Sequence, residues 1–132
     1  MEVYIIPMNE GTYDNLCYYI TRGLQDQAGV FIDVAEPEKA KTFLQKMGVQ
    51  KAPVAVLTTH KHFDHSDGNT DMKQTFPDIQ ILGGAEDNVL AATRGLVDGD
   101  ILEMEGLKIK CHHTPCHTRG HMLFYMEPIE GA

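Results

Sequence analysis

The sequence predicts an α/β fold, on three observations. A β-rich opening leads into a strand, a helix and a strand between Gly29 and Thr58. The last of these, Pro53-Val54-Ala55-Val56-Leu57-Thr58, is a continuous apolar run, as in a strand buried on both faces. The two segments richest in histidine leave the C-terminal ends of predicted strands, where α/β sheets tend to carry their sites.

The elements follow in order. Val3 to Ile6 and Leu16 to Thr21 are β-branched and aromatic runs separated by Asn9-Glu10-Gly11 and Asp14-Asn15, which reads as strand, turn, strand. Gly29 to Val34 is a third strand after the polar turn Arg22 to Gln27. Pro37 opens a helix over Glu38 to Met47, with Ala40, Phe43, Leu44 and Met47 at helical spacing and Gly48 stopping it. Strand, helix and strand imply a right-handed crossover and parallel pairing. A polar loop, Thr59 to Asp67, precedes a short helix over Asn69 to Phe76, ended by Pro77, and a strand over Ile79 to Leu82. Asp87 to Thr93 adds a helical turn. Ile101 to Met104 and Leu107 to Cys111 form a hairpin about Glu105-Gly106. A second loop, His112 to Gly120, leads to a final strand, Met122 to Met126.

A chain of 132 residues, 42% hydrophobic and 23% charged, fits one small globular domain. No stretch approaches the ~18 apolar residues of a membrane span. Met1-Glu2-Val3-Tyr4 lacks the basic flank of a secretion signal. Lys and Arg number 11 against 19 Asp and Glu, a net charge of −8, which argues against nucleic-acid and anionic-membrane partners. Cys17, Cys111 and Cys116 form an odd set without a CxxC pair and read as thiols of a reducing compartment, the cytoplasm first.

All seven histidines lie between His60 and His121, leaving the first 59 residues empty of them. The first loop reads Thr59-His60-Lys61-His62-Phe63-Asp64-His65. In extended backbone His60, His62 and Asp64 point to one side, and a turn at Asp64-His65 aims His65 nearby. Three imidazoles and a carboxylate this close would be costly to bury unpaired, and together they suit Zn, Fe or Mn. The second loop reads His112-His113-Thr114-Pro115-Cys116-His117-Thr118-Arg119-Gly120-His121. One of its histidines can complete a three-nitrogen site with His60 and His62, and spacing leaves open which. Lys61 reads as a solvated charge, Phe63 as packing, and Cys111 and Cys116 each as a small buried thiol, with metal ligation by either one the alternative.

The Thr-His-Lys-His-Phe-Asp-His loop, followed by Ser66-Asp67-Gly68-Asn69, resembles the signature of the metallo-β-lactamase superfamily, and within it the hydroxyacylglutathione hydrolase (glyoxalase II) branch. Thr114-Pro115-Cys116-His117-Thr118-Arg119-Gly120-His121 is similar to the second motif of that branch. Asp14-Asn15 and Phe31-Ile32-Asp33 fit as well, so the likeness runs from about Val3 to Tyr125. It implies an αβ/βα sandwich, of which this chain forms the N-terminal half: a mixed sheet with helices on one face, residues 1–132 making a single partial domain. It implies metal ligation by His60, His62 and His117 at a first metal and by Asp64 and His65 at a second, Asp64 serving catalysis. Asp33 would brace the histidine loop and His121 would be structural.

The same resemblance implies zinc, two ions per complete site with iron or manganese also fitting. The substrate would be a glutathione thioester such as S-D-lactoylglutathione, split to glutathione and a 2-hydroxy acid in methylglyoxal detoxification, in the cytoplasm or mitochondria. The family pattern also includes an Asp bridging the metals, a last His for the second metal and a C-terminal helical glutathione-binding domain, none of which is matched here. The second metal is therefore expected to keep only Asp64 and His65. The sheet is expected to expose an apolar face that self-association or a second chain would cover. A non-catalytic metal-binding module, or a persulfide dioxygenase with a single iron, are the alternatives. The latter usually carries a small residue where Phe63 stands.

Overall fold

The computed structural model describes residues 1–131. It has three layers: helices, a six-stranded mixed sheet and a three-stranded antiparallel sheet. The large sheet runs in the order β1 (Glu2–Met8), β2 (Asn15–Thr21), β3 (Val30–Ile32), β4 (Ala55–Thr58), β5 (Gln80–Gly84) and β6 (Arg94–Leu96). The first three strands pair antiparallel and the last three join in parallel, as the crossover through α1 (Pro37–Lys46) requires. Pro37 sits at the first helical positions, where its missing N–H costs nothing.

β4 shows why its sequence is apolar throughout. Val56 joins a cluster with Phe31, Ala40, Leu44, Met72 and Ile81 beneath α1 and α3 (Asn69–Thr75). Ala55 and Leu57 join Val30, Leu82 and Leu96 on the opposite face. Most of that face is covered. The hairpin of β7 (Ile101–Met104) and β8 (Leu107–His113), with β9 (Met122–Pro128), lays Leu102, Leu107, Ile109, Cys111 and Met122 across it. The expected uncovered face is thus corrected in part: the chain's own second sheet covers β3 to β6, whereas Val3, Ile5 and Leu16 stay exposed on the same face of β1 and β2. Arg22 ties the layers, its guanidinium donating to the carbonyls of Gly106 (3.1 Å) and Ile129 (2.8 Å).

Two further departures concern the connections. The loop after β4 is not extended throughout, because Phe63–Ser66 forms one helical turn, α2, whose Ser66 hydroxyl donates to the carbonyls of Lys61 and His62. The turn expected over Asp87 to Thr93 lies earlier, as a 3-10 turn over Ala85–Asp87, and Arg94–Leu96 adds a short parallel strand that the sequence reading lacked. The hairpin turn is as expected: Glu105 and Gly106 both adopt positive φ (49° and 75°), the conformation that suits tight antiparallel connections.

Candidate metal centre

The loop after β4 and the loop after β8 meet above the C-terminal edge of the large sheet. His60, Thr59 and α2 come from the first; His117, Thr118 and His121 come from the second. A main-chain bond from Met122 N–H to the Thr59 carbonyl (2.8 Å) joins them. His60, His62 and His117 converge, one ligand atom of each lying within 4.8 Å of the other two. His60 is buried, His62 half-buried and His117 exposed, so the cluster has a closed back and an open front. The front is a cleft of about 480 Å³ lined by Lys61, His62, Pro115, Cys116, His117, Thr118 and Arg119.

The donor set fits a metal ion. Nitrogens on a tetrahedral zinc at about 2.1 Å stand roughly 3.4 Å apart, within the bound set by these three imidazoles. Tautomers support this. The Asp33 carboxylate accepts from the Thr59 N–H (2.8 Å) and the Thr59 hydroxyl (2.7 Å). With its proton spent on Asp33, that hydroxyl can only accept from His60 Nδ1 at 2.9 Å. His60 is thereby left with a lone pair on Nε2, as a ligand needs. Burial pushes the His60 imidazole down to about 4, with His65 acting the same way, so it is neutral near pH 7.

Asp33 earns its orientation from a left-handed backbone conformation (φ 59°) at the end of β3, where Asp is among the few tolerated residues. Its carboxylate also faces His65 Nδ1 at 2.8 Å, and that bond raises the His65 pKa against the opposing effect of burial. His65 Nε2 and Asp64 Oδ2 then lie 3.6 Å apart beside the triad. Asn15, at the start of β2, places its amide nitrogen 3.2 Å from each. Asp64 therefore reaches its position from a helical turn, not from the extended alternation first expected. His121 stacks against His60 with ring centres 5.1 Å apart and holds Thr114 Oγ1 by Nδ1 at 2.9 Å.

Other residues fall outside. His112 is exposed on β8, and His113 engages the Arg119 carbonyl and Glu86. Lys61 is exposed, as a solvated charge should be. Phe63 is exposed too, packing edge-on against Tyr13 at 5.0 Å instead of entering the core. Cys111 is buried as expected, whereas Cys116 is exposed at the cleft. One residue went unread in the sequence. Asp87 is buried, and its carboxylate accepts from Lys61 N–H (2.9 Å), the Thr118 hydroxyl (2.7 Å) and Gly120 N–H (2.7 Å). Burial alone would raise its carboxyl, but these three donors outweigh burial and hold it below the ordinary value. Its position just past the Gly83-Gly84 end of a strand adjoining β4 was the available signal.

No family model matches the chain. It is 37% identical over 132 residues to the cytoplasmic hydroxyacylglutathione hydrolase of Arabidopsis thaliana, covering 99% of this chain and 49% of that protein. It is 36% identical over 126 residues to a hydroxyacylglutathione hydrolase-like protein of Homo sapiens, covering 96% and 41%. Over most of its own length the chain is similar to hydroxyacylglutathione hydrolases. Solved structures agree on the fold. The BLEG-1 B3 metallo-β-lactamase superposes with a TM-score of 0.80 at 21% identity, over 94% of this chain and 66% of that one. The FEZ-1 metallo-β-lactamase of Legionella gormanii gives 0.78 at 22%, over 98% and 57%. The chain thus has a metallo-β-lactamase fold and spans about half the length of the relatives it matches. Among the described residues, no helix is long and apolar enough to cross a membrane.

Proposed function

We propose that the chain carries the metal-binding part of a thioester hydrolase that converts S-2-hydroxyacylglutathione and water to glutathione and a 2-hydroxy acid. The observation that carries this reading is the convergence of His60, His62 and His117 from two distant loops. These three residues would hold a zinc ion, with Asp64 and His65 holding a second and iron or manganese as substitutes. A zinc ion so held would polarise the thioester carbonyl and bring the pKa of a water down to about 7.

The protein's own groups supply orientation. Thr59 and Asp33 fix which nitrogen of His60 is free. Asp33 likewise directs the Nε2 of His65 toward Asp64. The open side of the triad, with Lys61 and Arg119 at its rim, is where an anionic glutathione conjugate would approach. A thioester suits a site without a general acid, since a thiol ionises near pH ~8.5 and leaves as the thiolate. The name of the Arabidopsis relative supports a cytoplasmic setting.

A second reading is metal binding without turnover. It draws on Asn15, whose amide already contacts both Asp64 and His65. Free-thiol release from S-D-lactoylglutathione, measured with and without added zinc, separates the two. Zinc-dependent release supports the hydrolase. No release above the metal-free background, alongside tight zinc binding, leaves only the second reading.

A further inference from the structure

The loops that supply the triad belong to different sheets and are far apart along the chain, so something must set His117 against His60 and His62. The Thr59–Met122 bond fastens them on the side of His60 and His121. On the side of Lys61 and Thr118 the fastening passes through a third element, the 3-10 turn after β5. Oδ2 of Asp87 takes the N–H of Lys61, which lies between His60 and His62, and the hydroxyl of Thr118, which follows His117. Its Oδ1 takes the N–H of Gly120, next to His121. One buried carboxylate thus touches the immediate neighbours of all three converging histidines and of His121 without touching any imidazole.

The backbone is shaped around this contact. A Cβ on Gly120 would stand 2.4 Å from Asp87 N, and one on Gly84 would stand 2.0 Å from the Gly120 carbonyl oxygen. Both glycines permit an approach that any larger residue blocks. We infer that Asp87 is a positioning residue that locks the two histidine loops in register and so preorganises the triad for its metal, an inference that rests on the metal-centre reading above.

The low-dielectric surroundings make each of its hydrogen bonds strong, and the loss of one leaves a buried donor without a partner. Bonds that orient metal ligands from one shell further out typically change metal affinity by about 10–100-fold when removed. Asp87→Asn replaces an acceptor oxygen by an amide that opposes one of the three donors. Thr118→Val removes one donor at nearly constant volume, and Thr118→Ser restores it.

The test is zinc affinity of the full chain by competition with a chromophoric chelator, with melting of the metal-free chain recorded in parallel. Asp87→Asn is expected to weaken zinc binding by about tenfold or more and to change the visible spectrum of the cobalt-substituted chain. Thr118→Val is expected to weaken it in the same direction, and Thr118→Ser to bind as the unmodified chain does. Should Asp87→Asn fail to fold, the threonine pair decides. Zinc binding by the unmodified chain together with equal binding by the folded variants overturns the positioning role alone. Failure of the unmodified chain to bind zinc overturns the metal-centre reading, and this inference with it.

Discussion

His117 is the residue on which the account turns, because it alone brings the second loop into the triad. His117→Ala is expected to weaken zinc binding beyond the roughly 10–100-fold cost of losing an outer partner, as read by calorimetric titration. His60 yields a pH prediction. Its folded imidazole is pushed down to about 4 from 6.5, so as pH falls through that window the unfolded chain takes the proton first. Stability of the metal-free chain therefore declines from about pH 6.5 to 4 on account of this group. His65 shifts the opposite way: its bond to Asp33 contributes stability that is fully present below the unfolded value and is lost only as pH rises through the raised one. Urea midpoints across that window should fall less steeply in His60→Gln than in the unmodified chain. At this scale the histidines were legible, since seven of them crowd into less than half the chain. Asp87 and the hydroxyl of Thr59 were not, because their roles depend on bonds between residues distant in sequence.

At the scale of elements, the strands and helices with strong patterns emerged where the residues indicated: β4 by its unbroken apolar run, α1 by Pro37 and its apolar stripe, the hairpin by Glu105-Gly106. Weakly patterned pieces did not. Arg94-Gly95-Leu96 has one apolar side chain to mark it as a strand, and its place is set by pairing with Leu82, Gly83 and Gly84. The turn Phe63–Ser66 was masked by an alternation of ligand-type residues that suits extended chain equally well. The junction of β5 with its 3-10 turn is tight enough to predict a cost. Gly84→Ala must displace the Gly120 carbonyl, and overpacking of this kind destabilises by about 1–3 kcal/mol, measurable by chemical denaturation.

For the whole molecule, the α/β class and the parallel crossover were readable, whereas the second sheet as a lid on the first was not. Its hairpin pattern is local, but its docking depends on the facing of Leu107, Ile109 and Met122 onto Leu57 and Leu82. Arg22 helps hold that docking, so Arg22→Ala is expected to lower unfolding stability by about 1–3 kcal/mol in urea. Because the two loops spring from different sheets, metal binding and sheet docking are coupled. Free zinc at about a hundred times its dissociation constant should add roughly 2.7 kcal/mol to stability, seen as a rise in melting temperature.

The most direct measurement is X-ray absorption at the zinc edge on the chain loaded with less than one equivalent of the metal. A first shell dominated by nitrogen with the multiple scattering of three imidazoles is expected, one of which disappears in His117→Ala. A shell with fewer imidazoles, or one that His117→Ala leaves unchanged, would contradict it.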